Sequence, residues 1–263
     1  MSEIVEIYIT HYKPLVERKI YLDKEIKKNN LNAFFITSYD RGSIEFKKTK
    51  FTYNKILWWK QLFRIINILN QNAQNQNSFS KSKFVLTKLI YISKNNLVKV
   101  LNLFTFYKPR KLSNSEKSLI LKHIEALKKI LISGQPGVVC EDDIRFENFS
   151  KEILNEAFEL CKKEFDFISL GHGSKELPFF SNDIPLKSNY RFIKLSTPRN
   201  CTALAYMVSP KTAKILLDGL SSFVMPADWQ IQYLLLKNNL RSAWVIPPLF
   251  LHGSLNEYDS SLR

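Results

Sequence analysis

Cysteine is scarce in this sequence: Cys140, Cys161 and Cys201 are odd in number, widely spaced, and form no CxxC pair. That excludes a disulfide framework and a cysteine zinc site, and leaves reduced, buried thiols as the expectation. Long apolar runs are missing as well. Lys or Arg interrupts every candidate before the roughly 18 to 20 residues that a bilayer crossing needs, so any membrane contact is expected to be peripheral. The opening MSEIVEIYIT has no basic n-region, apolar h-region or cleavage site, so no signal peptide is read and the expected compartment is the cytoplasm.

One stretch lacks acidic residues altogether. Residues 47–111 carry 14 Lys or Arg and no Asp or Glu, whereas the rest of the chain has 25 basic against 24 acidic residues. The formal net charge of +15 therefore lies almost entirely in one segment. Within it, residues 51–69 place Phe51, Trp58, Leu62, Ile65 and Leu69 at helical spacing, with Lys60 and Arg64 one turn apart on another face. The polar run NQNAQNQNSFS (70–80) reads as a flexible loop, and residues 84–106 resume the apolar-plus-Lys pattern. A basic, aliphatic, Arg-poor segment suits an anionic lipid surface, with Trp58, Trp59, Leu62 and Phe63 entering the headgroup boundary. Solvated helices packed on the core are the second reading, and nucleic acid the third and least favoured.

The remainder, 45% hydrophobic and 24% charged over the full 263 residues, has ordinary globular composition. Residues 4–10 read as a strand, 14–29 as a charged helix with Pro14 in its first turn, and 33–38 as a strand, a β-α-β opening that predicts a parallel sheet with helical crossovers. Beyond the basic segment come helices over 115–131, 149–163, 210–220 and 228–238, and strands over 137–140, 165–170, 191–195, 203–208 and 243–246, with 171–188 as loop. The expected organisation is an α/β domain from 1–46 and 112–263 interrupted by a basic, largely helical insertion at 47–111.

Where the strand 137–140 ends, GVVCEDDIRF sets Glu141, Asp142 and Asp143 side by side. Adjacent carboxylates repel one another unless a cation or a hydrogen-bonding ligand sits among them. In an open α/β sheet ligands gather outside the carboxyl ends of the strands. A hard cation such as Mg²⁺ or Mn²⁺, holding a diphosphate on its open side, fits both facts. A helix cap or surface turn is the plainer alternative.

Val138-Val139-Cys140-Glu141-Asp142-Asp143-Ile144, preceded by the helix Ser115-Glu116-Lys117-Ser118-Leu119-Ile120-Leu121-Lys122-His123 and followed by Ala203-Leu204-Ala205-Tyr206-Met207-Val208-Ser209, resembles the bacterial lipooligosaccharide glycosyltransferases of family 25. The opening Ile7-Tyr8-Ile9 with Arg18, and then Tyr39-Asp40, is similar to that family's amino terminus. The resemblance covers about 4–40 and 112–254. It departs at Lys117 and Ser118, where the family has small residues, at Lys122, where it has Ser, and at Arg41, which here precedes Gly42. These departures bear on the acceptor and on donor contacts.

The resemblance implies a GT-A (Rossmann-like) fold, a UDP-sugar donor, inversion at the anomeric carbon, and transfer of a hexose, galactose favoured, to a lipooligosaccharide or related glycan or glycolipid acceptor. It implies Mn²⁺ or Mg²⁺ held by Asp143, Glu141 and His252. Tyr8, Thr10, Arg18, Glu141, Asp142, His123 and Arg199 fall to the donor, with Asn200 beside Arg199 facing phosphate or acceptor. Glu141 or Asp142 would reach the ribose or a metal-bound water, and Gly253 would let backbone approach a phosphate. Asp228 in Pro226-Ala227-Asp228-Trp229 is the candidate general base, with Trp229 stacking on the sugar; an N-cap to the helix that follows is the competing role. His252 and His123 have packed-histidine alternatives. The expected location is the inner face of the cytoplasmic membrane. Two rivals remain at this stage: a metal-dependent nucleotidyl or phosphoryl transferase using the same carboxylates, and a non-enzymatic protein that binds lipid or nucleic acid.

Overall fold

The computed structural model describes residues 4–51, 54–76, 110–171, 180–185, 189–200 and 202–253. The chain divides into two compact units, one of residues 1–53 and 112–263, the other of residues 54–111. In chain order the elements are β1 (Glu6–Thr10), α1 (Val16–Lys28), β2 (Asn32–Ile36), α2 (Ile44–Lys48), α3 (Lys55–Gln76), α4 (Asn114–Ser133), β3 (Gly137–Glu141), β4 (Ile144–Arg145), α5 (Lys151–Lys163), β5 (Phe167–Gly171), β6 (Phe180–Pro185), β7 (Arg191–Leu195), β8 (Ala205–Val208), α6 (Pro210–Leu220), α7 (Ala227–Lys237), β9 (Ser242–Ile246) and β10 (Leu251–His252).

Local chemistry sets the helix ends. Ser113 and Glu116 form a reciprocal capping box at the start of α4, and Gly134 closes it in the left-handed region at φ 69°. Ser150 and Ser209 cap α5 and α6 through their hydroxyls, and Pro210 occupies the first turn of α6.

Eight strands form one sheet in the order β2-β1-β3-β8-β5-β9-β7-β6. β1 pairs in parallel with β2 and β3, and β5 with β9, while β8 and β7 run against their neighbours. The sheet is thus mixed, with six strands pointing one way, and not the wholly parallel sheet that the β-α-β opening suggests. Strands buried on both faces read as continuous apolar runs whichever way they point, so AYMV of β8 carries no mark of its direction.

Alternation along the strands divides the core between two faces. Ile7, Ile9, Val138, Cys140, Ile168 and Met207 pack with Leu22 of α1 and with Ile153, Leu154, Ala157 and Phe158 of α5. Tyr8, Val139, Phe167 and Tyr206 face the other way, onto Ile120, Ile124 and Leu127 of α4, Leu216 and Leu220 of α6, and Ile231 and Leu235 of α7. The result is a three-layer, Rossmann-like α/β sandwich. α6 and α7 approach so closely at Gly219 that a Cβ there would lie 2.3 Å from Leu234 Cδ2, which fixes where α7 presents its first turns.

Two further expectations change. The stretch 171–188, read as loop, contains β6, an edge strand paired with β7; its sequence FSNDIP has no apolar alternation, and Pro185 at its end fits an edge. The polar run from Asn70 is helical through Gln76, because neither Gly nor Pro interrupts it and Gln and Ala are good helix formers. Residues 84–106 and Cys201 lie outside the described residues; Cys140 and Cys161 are buried free thiols.

Candidate active site

The chain leaves β1 to form β2 on one side and later returns to form β3 on the other. That reversal is a topological switch point, the place at which open α/β sheets bind ligands outside the carboxyl ends of their strands. The terminal residues Thr10 and Glu141 stand opposite each other in register. By alternation both belong to the face covered by α4 and α7, the face of Tyr8 and Val139. Thr10 is buried, and its hydroxyl has no partner.

On that face α4 supplies His123, whose Nδ1 lies 2.9 Å from the Tyr206 hydroxyl and whose Nε2 is 3.8 Å from Glu141 Oε1. Burial pushes the imidazole down to about 4, against the pull of Asp228, so it is neutral at physiological pH. Glu141 is pushed up to about 8 by burial, and by repulsion from Asp228 and Asp142, with Arg18 opposing. Asp143 is pushed up to about 6 by burial and by Glu141, with His252 opposing. Asp228 is raised by burial and by Glu116, while amide hydrogen bonds and His123 oppose. Glu141 and Asp143 thus resist ionisation together, and Asp228 adds to the repulsion on Glu141.

The three adjacent acids have different surroundings. Asp142 Oδ1 accepts from Arg18 Nη1 at 2.7 Å, and Oδ2 meets His11 Nδ1 at 2.9 Å and the Tyr12 amide at 3.0 Å. Burial raises this carboxyl, but the bonds from His11, Tyr12 and Arg18 together hold it below its ordinary value. Asp142 and Arg18 therefore pin the β1–α1 turn to β3: a buried carboxylate needs all these partners to stay charged. Asp143 Oδ1, in contrast, is buried with no partner.

Asp143 meets His252 through two short strands invisible in the sequence. β4 pairs antiparallel with β10, setting His252 opposite Ile144, and His252 Nε2 lies 3.8 Å from Asp143 Oδ2. The Gly253 amide donates to the Asp143 carbonyl at 2.7 Å, so this N–H holds the turn.

Among the described residues no three His, Cys, Asp or Glu side chains stand together as a ready ligand set for a metal. The arrangement still fits a hard divalent cation, which is commonly held by one or two carboxylates plus substrate phosphate and water. The unpartnered Asp143 oxygen and the raised Glu141 and Asp143 are what carboxylates short of positive charge display.

The remaining candidates divide. Tyr8 points back along β1, its hydroxyl donating to Glu6 and its ring stacked on Phe34; it belongs to the core and is not brought to the acidic cluster. Arg199 contributes its carbonyl to Trp244 Nε1 at 2.9 Å. Asp228 is not the N-cap of α7; that position is Pro226, and the Asp228 carboxylate sits in the first turn, accepting from the Trp229 amide. Reading the sequence missed His11 and Tyr12, and met Lys122 only as a departure from the family pattern. The Lys122 ammonium, buried on α4, donates to the His11 carbonyl and to Asp40, tying the segments that follow β1 and β2 together, and Arg41 lies 4.4 Å over the Tyr12 ring. The one visible signal was a Lys before His123 in an otherwise apolar helical stripe.

A model of glycosyltransferase family 25, described as an LPS biosynthesis protein, matches residues 4–231. The chain belongs to glycosyltransferase family 25. Among curated proteins none matches it significantly. As a family 25 glycosyltransferase of lipopolysaccharide biosynthesis it takes a nucleotide-sugar donor and a glycan acceptor. No described helix is long and apolar enough to cross a membrane.

Proposed function

We propose that this chain is a GT-A, inverting hexosyltransferase that moves galactose from a UDP-sugar to a lipooligosaccharide or related surface glycan. The observation that carries the reading is the acidic end of β3, where Asp143 keeps a buried Oδ1 without a partner and is raised together with Glu141, on which Asp228 also acts. Asp143, with Glu141 or His252, is the set that would hold Mn²⁺ or Mg²⁺; when bound, the ion neutralises charge gathering on the departing diphosphate. Asp228 takes the proton from the acceptor hydroxyl while the hydroxyl oxygen bonds to the anomeric carbon; the bond from that carbon to the diphosphate breaks, and UDP leaves with the electron pair. His123, neutral and beside Glu141, holds that side of the site in place.

Calorimetry tests the donor site. UDP is expected to bind in the presence of Mn²⁺ and to lose at least about tenfold in affinity in Asp143→Asn, with GDP and CMP weaker throughout. Wild-type protein that binds no nucleotide with or without Mn²⁺ would overturn the reading and move the weight to the basic segment.

That segment we place against an anionic membrane, beside a lipid-linked acceptor. In α3 the exposed residues Ile56, Lys60, Phe63 and Arg64 fall at i, i+4, i+7 and i+8, one mixed apolar and basic face. Trp58 and Leu62, expected to enter the headgroups, are buried, which leaves for that role exposed Ile56 and Phe63 and half-buried Trp59, whose ring stacks on Phe63. Each basic residue near such a surface contributes about 1 kcal/mol. Lys60→Glu/Arg64→Glu is therefore expected to lower co-flotation with phosphatidylglycerol vesicles at low salt by tenfold or more, roughly the effect of removing two such contacts. Equal flotation of the variant and wild type would show that this face does not bind lipid.

A further inference from the structure

The segment before β8 is held with unusual care. The Asn200 amide donates to Gln232 Oε1 at 2.6 Å, Gln232 Nε2 donates to the Pro198 carbonyl at 3.0 Å, and Trp244 Nε1 donates to the Arg199 carbonyl at 2.9 Å. Side chains of α7 and β9 thereby fix three successive residues of backbone. The carboxamide of Asn200 itself is left out of this network: the residue is 7% exposed, and neither Oδ1 nor Nδ2 has a partner. A buried amide without partners destabilises the folded protein, and here the neighbouring backbone is immobilised so that the side chain has little freedom to escape.

Its position tells what it is for. Gln232 lies four residues after Asp228 on α7, so the two share one helix face a single turn apart. At its other end the segment reaches Leu204, whose carbonyl accepts from the Glu141 amide at 2.8 Å. Asn200 thus stands on a span running from the face of Asp228 to the strand end bearing Glu141. A carboxamide offers a donor and an acceptor side by side, which complements a hydroxyl group, itself both donor and acceptor. Being neutral, it has no electrostatic preference for the diphosphate.

We infer that the Asn200 carboxamide reads a hydroxyl of the transferred sugar and is a specificity-determining residue of this enzyme. The inference rests on the donor-site reading given above. A site whose buried polar group is paired only by the correct substrate rejects analogues lacking that hydroxyl strongly, because the group is then left unmet.

The test separates sugar from nucleotide. Hydrolysis of UDP-galactose, UDP-glucose and their N-acetyl forms identifies the donor, and singly deoxygenated versions of that donor are then compared on wild type and Asn200→Ala, with UDP binding and thermal melting measured on both. UDP is expected to bind both proteins within about threefold. kcat/KM for the full donor is expected to fall by about 100-fold in Asn200→Ala, and one deoxygenated donor is expected to be equally poor with both enzymes. Asn200→Ala is expected to melt no lower than wild type, since an unpaired buried amide has been removed; an Asn retained only for structure would melt lower and leave the ranking of donors unchanged. Wild-type protein that binds no UDP sinks the donor reading and this inference with it. UDP binding with an unaltered ranking of deoxygenated donors in Asn200→Ala sinks this inference alone.

Discussion

Asp228→Asn is expected to slow sugar transfer by about 10²–10⁴-fold, the range for removal of a general base, while leaving the fold intact. Asn keeps an oxygen for the Trp229 amide, which now donates to Asp228 Oδ1 at 2.9 Å. It also removes a buried charge that repels Glu141 and is itself raised by Glu116, so the variant should be at least as stable as wild type. The pH dependence identifies the group. A base acts unprotonated, and Asp228 is raised above its ordinary 3.8 by burial and by Glu116. Wild-type kcat/KM is therefore expected to climb with pH through a value above the normal aspartate range, and that limb is expected to vanish in Asp228→Asn. Wild-type kcat with the same acid limb in the variant would exclude Asp228 and point to Glu141, the nearby carboxyl pushed up to about 8.

How far this site could be read from sequence depended on the reach of each interaction. Strand-end acids at 141–143 stood out because an apolar run before three carboxylates is a local pattern, and the switch-point rule converts it into a site. Their different surroundings were not legible. Asp142 is satisfied by Arg18 and His11, 124 and 131 residues away in the chain, and nothing near position 142 announces such partners. Asp143 receives His252 through strands of only two residues each, too short for any periodicity. The helix of Asp228 was visible, but its role as cap or base turned on where the first turn begins, and helix boundaries are the weakest part of any sequence reading. Asn200 was noticed for its place before a strand; what gives it meaning, Gln232 and Trp244 seizing the backbone around it, is entirely tertiary.

Arg18→Met carries the largest expected cost to stability, about 3–5 kcal/mol. Side chains of Arg18 and Asp142 are only 6% and 9% exposed, and their 2.7 Å bond lies among Thr10, His11 and the acidic turn. Met fills similar volume without the guanidinium, so packing is largely kept and the loss comes from stranding a buried carboxylate. Arg18 also lowers Glu141 and Asp143, and without it both lean further toward the protonated form, so donor affinity should fall together with stability. The double variant Arg18→Met/Asp142→Asn separates the terms: it removes the stranded charge and is expected to recover much of the lost stability. The sign with pH follows from linkage. Asp142 lies below its ordinary value in the folded protein, so its contribution is present above the unfolded value near 3.8 and disappears as pH falls through the lower folded value. In Arg18→Met the same carboxyl takes up a proton more readily, and the stability gap between variant and wild type should narrow as denaturant titrations move from neutral pH toward pH about 3. A gap that stays constant over that range would mean that Arg18 stabilises the protein by packing alone, and that the acidic turn is held by His11 and Tyr12 without it.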